Sequence, residues 1–128
     1  MTHKKAIEYW LKSAQENFKI AQKLFEFKHY DWSLFFCHLV LEKLLKGLTV
    51  KKTKQSPLPI HNLVKLAALA DLKLTDEAKL DLREISTFNV QARYDDIKLS
   101  FYKKATKKFT EKYFQKTKEY CQWLKNFY

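Results

Sequence analysis

"DWSLFFCHLVLEKLLKGLTVKK", residues 31–52, decides the fold. A helix drawn through it is apolar on nearly every side, as suits a central helix in contact with several neighbours. Asp31 stands at its start as the expected N-cap, since a short carboxylate accepts from the free amides of a first turn. The whole chain holds one glycine and two prolines, little material for hairpins or flexible linkers. Such a composition favours helices joined by short connections.

Working outward, "KKAIEYWLKSAQENFKIAQKLFEF" (4–27) places Ile7, Leu11, Ala14, Phe18, Ala21 and Phe25 at alternating steps of four and three, one apolar stripe on a long helix. On the other side, "TKQSPLPIHN" (53–62) is a break, because Pro57 and Pro59 cannot continue a helix. A short amphipathic helix follows through Leu63, Leu66 and Ala70. Thr75 or Asp76 can cap the next, with Ala78, Leu82, Ile85 and Phe88 facing inward. From "QARYDD" (91–96) to about Lys104 the pattern is irregular. A last helix then runs to about Asn126, with Phe109, Tyr113, Thr117, Tyr120, Leu124 and Phe127 on its inner face. No run alternates as a strand would. The expected fold is all-α, an up-and-down four-helix bundle with an additional short helix.

The chain has 128 residues, 46% of them hydrophobic, and reads as a single domain over 1–128. Cys37 and Cys121 both sit in apolar helical patterns and read as buried free thiols. There is no leader-type apolar segment and no apolar run long enough for a membrane span, so a cytoplasmic protein without membrane contact is expected. The net charge is +11, and from Ile97 onward nine lysines face two glutamates. A basic surface attracts nucleic acid, nucleotide phosphates or an acidic protein without choosing among them, and is also compatible with a plain solvated surface.

Three polar groups interrupt residues 31–52 on one line. His38, Glu42 and Lys46 follow one another at i, i+4 and i+8, about 40° apart per step, while Lys43 points elsewhere. Burying charge is costly unless it is paired. The stripe is therefore either a cleft wall or a narrow window to solvent. His61 follows the double proline as a capping or core histidine. The four histidines show no metal-binding spacing, so neither metal nor cofactor is expected. Arginine occurs only at positions 83 and 93, against twenty-three lysines. Its planar fork grips a carboxylate or phosphate through two parallel hydrogen bonds. Arg93 is thus expected to face the Glu42/Lys46 stripe and hold a carboxylate or phosphate, with Asp95 or Asp96 as structural alternatives. No nucleophile with its base can be assembled, so no catalytic residue is assigned.

With these residues in view, the chain resembles the HEPN-domain family. The resemblance rests on "YWLKSAQENFKIAQKLFEFKHYDWSLFFCHLVLEKLLKGL" (9–48), "HNL" (61–63), "ARYDD" (92–96) and a final "WLKNF". It implies a helical bundle that commonly dimerises and is often encoded beside a minimal nucleotidyltransferase as a toxin–antitoxin-like pair. Position by position, Glu42, Lys43 and Lys46 match the family's E-K-x-x-K, His61 its H-x-L, and Arg93 and Tyr94 its R-Y. These imply a cleft for nucleotide or RNA, with His38, Asp95 and Asp96 as additional candidates, and turn the stripe into a cleft wall. Many family members resemble metal-independent ribonucleases with histidine a few residues after arginine. Here Arg83 is followed by "EISTFNV" and Arg93 by "YDDIKLS". That motif is absent, which implies a non-catalytic or differently acting member. The expected function is a dimeric nucleotide- or RNA-binding module paired with a nucleotidyltransferase. The alternatives are a divergent ribonuclease or a basic adaptor for an acidic protein.

Overall fold

A computed structural model describes residues 2–128, the side chains of Asp95 and Asp96 excepted. Six helices follow one another: α1 (His3–Glu26), α2 (Tyr30–Thr53), α3 (Leu63–Leu69), α4 (Asp76–Gln91), α5 (Asp95–Lys104) and α6 (Lys107–Lys125). No strand occurs among the described residues. Four helices begin on a side chain that accepts from a first-turn amide, Thr2 for α1, Asn62 for α3, Thr75 for α4 and Thr106 for α6.

α2 is the axis. The other five helices all pack on it, α1 and α6 most extensively. Leu34, Leu41, Leu44 and Leu45 are buried on its several faces, as the all-round apolar pattern requires. Its single glycine has a packing role. A Cβ on Gly47 would lie 3.0 Å from the Cβ of Trp10 and collide with the Tyr128 hydroxyl, which donates to the Leu44 carbonyl. Gly47 thus lets α1 approach α2 closely and sets Trp10 beside the turn that carries Lys46.

Three sequence expectations are corrected. α2 begins at Tyr30 with His29 as its N-cap, and Asp31 lies inside the first turn, where its carboxylate accepts from the Trp32 amide at 2.9 Å. The negative charge there still suits the positive end of the helix. The stretch read as irregular contains α5. Its inward stripe runs at strict steps of four, with half-buried Ile97 followed by the buried Phe101 and Ala105. Phe101 packs on Phe88 of α4 at 5.6 Å between ring centroids. α4 is also tied to α6, where Tyr120 and Lys116 both donate to Asp81, at 2.6 and 3.2 Å. Phe127, expected on the inner face of the last helix, lies beyond α6 and is exposed.

Cys37 and Cys121 are buried free thiols, and burial pushes the pKa of both up to about 12. No helix among the described residues is long and apolar enough to cross a membrane.

Candidate functional site

The stripe on α2 is a buried row rather than a solvent window. His38, Glu42 and Lys46 expose 0%, 5% and 7% of their surface. A carboxylate so enclosed must be paired, and Glu42 gives one oxygen to each of two cationic or donor groups. Lys46 Nζ donates to Oε2 at 3.0 Å. His61, brought back over α2 by the Pro57–Pro59 segment, approaches Oε1 with Nδ1 at 2.8 Å. A carboxylate only accepts, so that nitrogen carries the proton and the His61 Nε2 is left pointing away from Glu42.

His38 reinforces the arrangement from below. Its Nε2 donates to the His61 carbonyl at 2.9 Å and stands 3.6 Å from Glu42 Oε1. Its Nδ1 is buried without a partner, which suits a neutral ring. Burial holds the His38 pKa below its usual value, and the nearby His61 ring and Lys46 push the same way, against the His61 carbonyl and Glu42. The unfolded chain takes up a proton on His38 near its ordinary pKa of about 6.5, whereas the folded one resists. Stability present above that pH is therefore lost as pH falls from about 6.5 through the lowered folded value. Urea midpoints taken between about pH 7.5 and 5 should fall more steeply for the wild-type protein than for His38→Gln, which keeps a donor for the His61 carbonyl. Equal slopes would remove His38 as the cause.

His61 opens onto a groove of about 410 Å³ lined also by Asn62 and, on α4, by Arg83, Ser86, Thr87, Asn89 and Val90. Ser86 fixes the groove floor by accepting from the Leu63 amide at 3.0 Å and donating to the Leu82 carbonyl at 2.7 Å. Arg93 Nη1 donates at 3.2 Å to Oδ1 of Asn89, which lines the same groove. Arg83 thus shares the groove with the histidine that Glu42 orients, and Arg93 is linked to that groove through Asn89. Lys46, on the far side of Glu42, lines a second groove against α1.

The structure brings together Glu42, Lys46, His38 and His61, and brings Arg93 near through Asn89. Arg93 does not pair with Glu42 as the sequence led us to expect: Lys46 and His61 take the two carboxylate oxygens, and Arg93 bonds to Asn89. Lys43 turns to α1, where its Nζ donates to Ser13 Oγ at 2.6 Å, and its burial lowers its pKa. Tyr94 is exposed at the start of α5 with no side-chain cap bond. Asp95 and Asp96, the alternative partners of Arg93, fall outside the described side chains. Sequence reasoning missed Arg83, Ser86 and Asn89 as members. Their steps of three along α4 were visible, and so was the rarity of arginine, but not the groove that unites them. No cluster of three or more metal-ligating side chains occurs among the described residues.

A family model described as "HEPN domain" matches residues 7–127. No curated protein matches the chain. Among solved structures, that of TT1696 from Thermus thermophilus is similar, with a TM-score of 0.79 at 19% identity, over 95% of this chain and 98% of its own. At that identity the likeness concerns the fold. The family match spans nearly the whole sequence, the six-helix fold agrees with it, and the chain belongs to the HEPN-domain family, which supports a nucleotide- or RNA-related role.

Proposed function

We propose that the protein is a nucleotide- or RNA-binding HEPN module that recognises phosphate at the groove beside His61. One observation carries this reading: a chain with twenty-three lysines puts one of its two arginines in a groove with a histidine held by a buried carboxylate, and bonds the other to Asn89 of the same groove. Fork geometry suits phosphate oxygens, and the +11 charge draws polyanions toward it. Arg93→Lys keeps the charge and loses the fork. It should weaken binding of a short single-stranded RNA or ATP by about 1–3 kcal/mol while the helical fold persists. Unchanged affinity with a lowered melting temperature would make Arg93 a structural clamp. Absence of binding to both ligands, with tight binding to an acidic protein, would favour the adaptor reading instead.

We place the module in a homodimer and in a pair with a minimal nucleotidyltransferase of toxin–antitoxin type. On α2, Trp32, Phe35, Phe36 and Leu39 stay only half-buried within the single chain. Further support lies on α5, where Leu99 and Tyr102 share one exposed face, with exposed Val90 and Tyr94 nearby in sequence. Sedimentation should give a dimer that Leu99→Glu dissociates. Co-expression with a minimal nucleotidyltransferase should give a complex that survives size exclusion.

A divergent ribonuclease is the second reading, favoured by the Glu42–His61 pair, which holds an imidazole with its Nε2 open to the groove. RNA cleavage in chelator, lost in His61→Ala, would establish it.

A further inference from the structure

The second groove lies between α1 and the segment that follows α2. Its volume is about 710 Å³, within the range of small-molecule sites at roughly 300–1,000 Å³. One wall is Tyr9 and Trp10 of α1, and the other is Gln55–Pro59. Tyr9 is 55% exposed, and its ring meets that of Trp10 edge-on at 5.4 Å and 73°. The rings therefore do not stack on each other, and the exposed Tyr9 ring is accessible from the groove. The groove is lined by Lys46, Lys54 and His3, and its described lining includes no carboxylate. Lys46 Nζ stands 5.8 Å from the Trp10 ring centroid, and of its three donors one is used on Glu42.

An open aromatic face next to spare ammonium donors suits a ligand that is flat at one end and anionic at the other. An aliphatic anion would leave the ring unused, and an uncharged aromatic would leave the lysines unused. We infer that this groove holds a nucleotide unit, its base stacked on Tyr9 and its phosphate between Lys46 and Lys54. The inference rests on the nucleotide reading above and adds to it a base-reading site distinct from the groove at His61. The unit can be a free mononucleotide or one residue of an RNA strand, since both present the same base and phosphate.

Calorimetric titration with AMP, adenosine, ribose 5-phosphate and a short single-stranded RNA tests it on wild-type protein, Tyr9→Ala and Lys54→Glu. Both substituted residues are exposed, and circular dichroism melts should show the fold retained. AMP should bind the wild type, with about tenfold or greater weakening in each variant and in each half-ligand. RNA binding that both substitutions weaken, without AMP binding, identifies the strand as the source. Ribose 5-phosphate binding as tightly as AMP overturns the stacking site, as does displacement of AMP by an acidic peptide at equal concentration. Affinities lost in Arg93→Lys but kept in both groove variants overturn this inference and leave the proposed function standing. No binding of AMP or RNA overturns both.

Discussion

Glu42→Leu is expected to destabilise the fold by roughly 3–5 kcal/mol, the cost of leaving a buried partner charge unpaired. Lys46 is nearly as enclosed as Glu42, and the described structure gives its ammonium no second carboxylate. His61 loses its anchor at the same time, so ligand binding at its groove should fall beyond what lower stability explains. The double variant Glu42→Leu, Lys46→Met separates the two effects. Removing both charges from the interior should restore most of the stability, because a buried ion pair and its apolar replacement are often near balance. Binding should stay impaired. Urea denaturation gives the first quantity and RNA titration the second. A Glu42→Leu protein within about 1 kcal/mol of wild type, the scale of an exposed pair, would mean the cluster carries little of the fold.

Phe88→Ala should cost about 3–5 kcal/mol, in the usual range for emptying a buried aromatic site. Phe88 is fully enclosed and its ring meets Phe101, Phe109 and Tyr113 at 5.6, 6.0 and 5.5 Å between centroids. It is where α4 holds both α5 and α6. Because Arg83 and Asn89 ride on the same helix, the loss should appear at the groove as well, through faster hydrogen exchange of α4 amides. Phe88→Leu, with a smaller cavity, should lose clearly less. A cost below about 2 kcal/mol for the alanine variant would place the anchor of α4 elsewhere.

The bundle was legible because its longest segments repeat. α1 shows a clean stripe, α2 is apolar all round, and Thr75 marks the start of α4. α5 was not legible. Steps of four among lysines leave too few apolar positions to set a period, and the helix starts at Tyr94 without a capping side chain. The candidate site divides in the same way. His38, Glu42 and Lys46 share one helix, so their spacing displays their alignment. The contact of Glu42 with His61 spans a double-proline loop whose path no local preference dictates. Arg93 was noticed for its rarity, yet its neighbour is set by the end of α4, four residues from Asn89. Lys43 and Tyr94 entered through family resemblance alone, and the structure sets each apart from the cluster.

Glu42 serves two cavities with one charge. Oε2 goes to the lysine that lines the Trp10 groove, and Oε1 to the histidine that lines the Arg83 groove. A phosphate that draws Lys46 toward itself leaves more of the carboxylate to His61 and tightens the hold on that ring. If both grooves hold phosphate as proposed, occupancy on one side would be felt on the other, and by linkage the two effects would be equal factors in affinity. The protein would register two ligands jointly through one side chain, with no helix needing to move.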